Sequence, residues 1–406
     1  MAVIARRASA IAVLVLWFAV GGNAFAGRGG GVGGVGDTIF NVLQFGAKPG
    51  SREESTQAFM QAWVAACQKF DGLKARLLIP PGVYTLSETI FGGPCKSRRP
   101  ITVQLLGTLS ANTDLSEYSD KSWISFDSVD GLVITGGGII DAHGQNVWKY
   151  DDCKSNPGCA RLPATLYFNN VRNAKTKGIT LLNSMGFHMH VTNSYNVRFH
   201  SLRISAPPDS PNTDGMHISK SQTVKVSRST ISTGDDCISI GQGSTNVTVN
   251  KITCGPGHGI SVGSLGKLPN ELDVKGVIVK NCTIKGTTNG VRIKTWPASG
   301  ASQAAGLLFT NIIMDNVQNP IIVDQGYGHR SNQPSRVKIS NVIYQNIEGT
   351  SVTPVAVNLM CSRQVPCQNV RFNNIKLRSS LNAPLTASCT NAQVGYTGIQ
   401  YPPPCR

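Results

Sequence analysis

Val247-Thr-Val-Asn-Lys-Ile-Thr-Cys254 carries apolar side chains at its first, third, sixth and eighth positions. The same apolar-x-apolar-x-x-apolar-x-apolar octet stands at Val197/Phe199/Leu202/Ile204, Val277/Val279/Cys282/Ile284 and Leu307/Phe309/Ile312/Met314. It recurs at Val337/Ile339/Val342/Tyr344 and Val370/Phe372/Ile375/Leu377, with a degenerate copy from Val224. Taken in order, the copies begin 27, 23, 30, 30, 30 and 33 residues apart. Two-residue alternation puts successive side chains on opposite faces of a strand. Its recurrence every roughly 20–35 residues marks a solenoid. Asn196, Asn246, Asn281, Asn311, Asn341 and Asn369 precede or interrupt the strands, and Asn tolerates the left-handed backbone of tight turns. The fixed leucine spacing of a leucine-rich repeat is missing, and propeller blades need longer units. The pattern predicts an all-β chain, a single-stranded right-handed parallel β-helix. Its core grows along one axis, so residues 37–406 can form one domain.

Both ends of such a coil expose strand edges and need covering. The stripe Phe59, Trp63, Ala66 and Phe70 predicts an N-terminal capping helix over 53–70, with Ser51 as its cap and Glu54 three residues on. Ahead of it, Arg6 and Arg7, the apolar run Ile11–Val20 and Ala24-Phe25-Ala26 read as a signal peptide over 1–26. The run 27–36 is a Gly-rich leader. No later stretch is long and apolar enough for a membrane span, so the chain is expected to be secreted and extracellular, acting at a cell wall and as a monomer. Formal net charge is +16, or +14 without Arg6 and Arg7. The lysines are scattered and no nucleic-acid motif occurs, so the expected partner is an acidic extracellular polymer rather than nucleic acid or membrane.

Eleven cysteines in an oxidising compartment imply disulfides and one unpaired thiol. Spacing favours Cys153–Cys159, Cys361–Cys367 and Cys389–Cys405; Cys237 and Cys254 can clip neighbouring coils, Cys67–Cys95 can tie the cap, and Cys282 is left over. Paired CxxC units are absent, so no metal or other cofactor is expected. Asn246 and Asn281 head glycosylation sequons.

Within the coil, Ser210–Lys294 holds four short pieces, each ending in an apolar pair: Met216/Ile218, Ile238/Ile240, Ile260/Val262 and Val291/Ile293. Two residues before each pair stand Asp214, Asp236, His258 and Asn289, the first three spaced by 22 residues each time. Singly, an Asp beside Gly is a turn former, and Arg292 with Lys294 reads as an exposed strand face. Shared register changes the reading, because stacked strands lie about 4.8 Å apart. Carboxylates, a histidine and two cations on one ladder desolvate one another at a cost that function explains.

Asn212-Thr-Asp-Gly215, Gly234-Asp-Asp236, Gly257-His-Gly259 and Arg292-Ile-Lys294 resemble the signature blocks of the polygalacturonases, glycoside hydrolase family 28. The likeness runs from about Phe40 to the C-terminus. Phe187-His-Met-His190, the run Cys254–Gly266 and the tail cysteines resemble the plant pollen-type exopolygalacturonases. The resemblance implies inverting hydrolysis of α-1,4-galacturonosyl linkages in pectin or polygalacturonate, exo-acting in preference to endo-acting. It implies Asp235 as general acid, Asp214 and Asp236 as the pair activating water, and His258 tuning Asp235. Arg292, Lys294, Tyr327 and Asn212 would bind substrate. Gly328 stands where plant relatives usually have Cys, and Ser51-Arg-Glu-Glu54 replaces a Gly-Asp-Gly-Lys-type turn. Two other readings of the acids are a calcium-dependent pectate lyase, and a wall-binding β-helix without activity.

Overall fold

The octets form strands that lie parallel and, up to Leu307, pair with their counterparts one coil on: Val197 with Val224, Val247 with Val277, and Val277 with Leu307. The computed structural model describes residues 36–405 apart from 51–52, 120–121, 153–155, 157–158, 160 and 329–330. Residues 1–26, the leader apart from Gly36, the Ser51 cap and the Cys153 end of the Cys153–Cys159 pairing therefore lie outside the described residues. Among the described residues the strands group into an 18-stranded and an 11-stranded sheet. In both, the strands pair in parallel and each neighbours its equivalent in the next coil, the right-handed parallel β-helix expected.

Inward side chains fill a narrow core in stacked rows. Phe309, Tyr344, Phe372 and Tyr396 form one stack, with centroids 5.1, 5.1 and 5.5 Å apart and planes within 16°. Burial of a Phe of this kind is worth about 2–3 kcal/mol. This stack corrects one register. Sequence pattern sets Val337 against Leu307, whereas Val342 pairs with Leu307 and Tyr344 with Phe309. Val337 and Ile339 instead extend the same strand upstream, opposite Ser302 and Ala304. Both frames satisfy the apolar pattern, and the ring-on-ring stack belongs to the second.

The cap helix spans Thr56–Trp63 and continues as a wider turn over Val64–Lys69. Phe59, Trp63 and Ala66 are buried as expected, and the Trp63 indole packs 4.9 Å from Phe91 while its N–H donates to the Gly92 carbonyl at 2.9 Å. The helix begins later than the expected 53. The Glu54 carboxylate is engaged elsewhere, accepting from Ser87 Oγ and from Asn112 Nδ2, each at 2.6 Å. Four disulfides match the expected pairs: Cys67–Cys95, Cys237–Cys254, Cys361–Cys367 and Cys389–Cys405. Cys282 is a buried free thiol, and burial pushes its pKa up to about 11.

At one corner of the coil Asn281, Asn311, Asn346 and Asn374 all adopt φ between 49° and 55°. Each amide donates to its predecessor's Oδ1: Asn311 to Asn281 at 3.2 Å, Asn346 to Asn311 at 3.0 Å, Asn374 to Asn346 at 3.2 Å. Asn311→Ala breaks the ladder and leaves a Cβ residue in the left-handed region, and is expected to cost about 2 kcal/mol in denaturant unfolding. Asn311→Gly relieves the backbone alone and should cost roughly half as much. Equal losses for the two variants would show that backbone conformation contributes nothing there.

Candidate active site

Four short strands of the smaller sheet build the site: Met216–Ser219, Ile238–Ile240, Ile260–Leu265 and Asn289–Thr295. Met216 pairs with Ile238, Ile238 with Ile260, and Ile260 with Val291. Gly215 N–H donates to the Asp236 carbonyl at 2.9 Å and His258 N–H to the Asp235 carbonyl at 2.8 Å, so the register continues upstream. Asp214, Asp236 and His258 thus share one column, whereas the next rung slips by one residue, Gly257 bridging Thr287 and Ile260 pairing with Val291. The Cys237–Cys254 disulfide ties the turn bearing both Asp235 and Asp236 to the strand Thr245–Cys254.

Between each apolar pair, the middle residue faces the other way. These residues are His217, Ser239, Ser261 and Arg292, a second column beside the first. Ser239 Oγ donates to Asp214 Oδ2 at 2.6 Å, and Ser261 Oγ donates to Asp236 Oδ1 at 2.8 Å. His217 Nδ1 stands 2.8 Å from Ser239 Oγ, and Arg292 Nε donates to Ser261 at 3.0 Å in the equivalent place. Asp214 and Asp236 are therefore each linked through a serine to a nitrogen one rung away. Sequence reasoning missed Ser239, Ser261 and His217. The alternation that located the acids also points to them.

Asp236 is 1% exposed and fully engaged: Arg292 Nη2 lies 2.7 Å from Oδ1 and Lys294 Nζ 2.8 Å from Oδ2. Asp235 differs. Its side chain is 25% exposed, and Oδ1 alone takes its bonds, from His258 Nδ1 at 3.0 Å and from the Asp236 N–H at 2.7 Å. Oδ2 is left without a protein donor among the described residues. Tyr327 lies over the cations, its ring centre 5.0 Å from Lys294 Nζ and 5.8 Å from the Arg292 guanidinium, and edge-on to Trp296 at 5.4 Å. Gly328 has φ +80°, and a Cβ there would fall 2.5 Å from the Trp296 ring. That accounts for glycine at the position where Cys was expected. Asn212 is exposed at φ 51° and its side chain makes no hydrogen bond among the described residues.

Donor atoms of Asp235, Asp236 and His258 lie within 4.8 Å of one another, close enough to hold a cation. Both Asp236 oxygens already face cationic donors. A divalent ion there would stand beside Arg292 and Lys294, so the donor set fits a metal poorly.

Burial, then the charges of Asp235 and Asp236, raise the Asp214 pKa well above the usual carboxylate range, against the pull of Lys294 and Ser239. Burial would raise Asp235 too, but the hydrogen bond and charge of His258, with Lys294, outweigh it and hold Asp235 low. Burial disfavours the Lys294 ammonium, yet Asp236 keeps its pKa raised. The folded protein holds the Asp214 proton more tightly than the unfolded chain does. Its contribution to stability is therefore fully present below the unfolded carboxylate value and lost as pH rises through the raised one. Asp214→Asn, a neutral mimic of the protonated acid, should raise the melting temperature above that window by roughly 1–3 °C. The gain should vanish at acid pH; a pH-independent difference would contradict the shift.

The family model for glycosyl hydrolases family 28 matches residues 67–398. An exopolygalacturonase of Arabidopsis thaliana is 43% identical over 378 residues, 91% of this chain and 88% of its own. The exopolygalacturonase of Platanus acerifolia is 43% identical over 370 residues, 90% of this chain and 97% of its own. Among solved structures, the endo-xylogalacturonan hydrolase of Aspergillus tubingensis superposes with a TM-score of 0.76 at 25% identity, covering 89% of this chain and 100% of that one. With the matched model spanning the coil and all three acids inside it, the chain belongs to glycosyl hydrolases family 28.

Proposed function

We propose that this protein is a secreted polygalacturonase that hydrolyses α-1,4-galacturonosyl linkages of polygalacturonate from a chain end, residues 37–406 forming its catalytic domain. One observation carries the reading: a partly exposed carboxyl, Asp235, stands beside a buried carboxylate, Asp236, that two cations clamp. Glycoside hydrolysis needs one carboxyl to protonate the leaving oxygen and another to activate water, around an oxocarbenium-like state. Asp235 is the group able to reach substrate, through Oδ2, and takes the acid role. Asp214 and Asp236 take the water, with His258 setting the protonation of Asp235.

In the free protein the column's proton is favoured on Asp214, not on Asp235. An anionic sugar resolves this. Its carboxylate, drawn to Arg292, Lys294 and the Tyr327 hydroxyl side, neutralises Lys294, one of the groups that hold Asp235 low. Substrate binding thereby raises Asp235 toward protonation at the moment its proton is needed. The exo assignment follows the names of the plant relatives. Hydrolysis in place of elimination follows from the poor fit of a divalent cation beside Arg292 and Lys294.

Sizing the earliest products from polygalacturonate should give galacturonate monomer; mixed oligomers would mean internal cleavage. Asp235→Asn should lower kcat by at least about 100-fold while leaving the thermal transition nearly unchanged, and retained turnover would remove it as the acid. Lys294→Met should raise KM by about tenfold or more, the loss of one charged hydrogen bond. An unchanged KM in the folded variant would remove Lys294 from substrate binding.

A further inference from the structure

Followed toward the N-terminus, both columns of the site continue past the acids and change chemistry. Register pairs His190 with His217, and Tyr167 with His190, so Tyr167, His190, His217, Ser239, Ser261 and Arg292 form one row. His188 N–H donates to the Asp214 carbonyl at 2.8 Å, which sets Phe187 next to Asp214 at the head of the acid column. Phe187 stacks on the His217 ring, 5.2 Å apart at 29°, and meets His190 edge-on at 5.8 Å. His190 in turn meets His217 at 5.1 Å and Tyr167 at 4.9 Å. All four rings are partly exposed, forming a continuous wall that begins one rung from Asp214.

The wall carries no charge. Burial pushes His190 down to about 4, and burial followed by the charges of His190 and Lys294 pushes His217 down to about 3. Both imidazoles are neutral across the pH range in which carboxylates of a pectic polymer are ionised. Two rungs beyond Asp236 in the other direction stand Arg292 and Lys294. A substrate spanning the acids thus meets cations on one side and neutral rings on the other.

We infer that Tyr167, Phe187, His190 and His217 form a subsite for a sugar ring whose carboxyl is methyl-esterified. An ionised carboxylate placed among these rings loses hydration with no cationic side chain in the wall itself to pair with it, which is costly. A methyl ester removes that cost, and the apolar face of a pyranose packs well on aromatic rings. The inference deepens the polygalacturonase reading and rests on it. It assigns the two sides of the scissile bond opposite preferences: a free carboxylate at Arg292 and Lys294, an ester at the ring wall.

The test compares kcat/KM of the full chain on unesterified and on partly methyl-esterified oligogalacturonides, for the wild type, His190→Lys, His190→Gln and Phe187→Ala. A cation at 190 should attract a free carboxylate, so the esterified-to-unesterified ratio should fall about tenfold in His190→Lys. In His190→Gln, which stays neutral, the ratio should hold within about twofold. Phe187→Ala opens the wall to water, and its ratio should fall about fivefold. This variant carries the test alone if His190→Lys shows no cooperative thermal transition. An unchanged ratio in the folded Lys or Ala variant overturns the subsite, as does an equal fall in His190→Gln. Wild-type protein inactive on both substrates would instead sink the hydrolase reading.

Discussion

Parallel coils stacked in register, about 4.8 Å apart, are the constraint on which the site depends. Asp214, Asp236 and His258 are far apart along the chain and adjacent in space because the two intervening coils have equal length. An insertion of one residue in either strand would turn it over, setting its apolar pair outward and carrying its acid or histidine off the column. The disulfide at Cys237 holds the most crowded of these turns. A solenoid also suits a polymeric substrate, since its repeat generates rows of side chains along an extended groove.

Crowding imposes an electrostatic problem, and the three acids meet it differently. Asp236 is buried and has two cations and a serine for partners. Removing one partner from such a group leaves a charge uncompensated in a low-dielectric setting. Asp214, equally buried, has Ser239 as its side-chain donor, and it is the acid pushed toward the protonated form. Asp235 keeps contact with solvent and is held low by His258. Asp214 and Asp235 thus come to differ in protonation through burial and partners alone. Acid and base chemistry needs that difference.

Much of this was legible beforehand, and the failures have physical causes. The octet pattern exposed the coil, and the offset from each apolar pair exposed the acid column. Register failed at Val337, where two frames five residues apart both present apolar residues inward; stacking of Tyr344 on Phe309 and Phe372 distinguishes them, and ring contact is invisible to a binary pattern. The helix start was misplaced because Glu54, acidic and well spaced for a capping box, bonds Ser87 and Asn112 from other coils. Ser239 and Ser261 were overlooked because serine between two aliphatic residues reads as an ordinary strand residue. Their role comes from the neighbouring rung.

Carboxylate spacing bears on the chemistry itself. Asp235 and Asp236 offer oxygens within 4.8 Å of one another, shorter than the roughly 6.5–9.5 Å usual when water attacks with inversion. In this account the water lies between Asp235 and the column of Asp214 and Asp236 rather than between the two neighbours alone. The most direct test is the anomeric configuration of the first galacturonate released, followed by proton NMR before mutarotation. Hydrolysis by the acid column predicts the β-anomer with a saturated ring; an α-anomer, or a product bearing a ring double bond, would contradict the account.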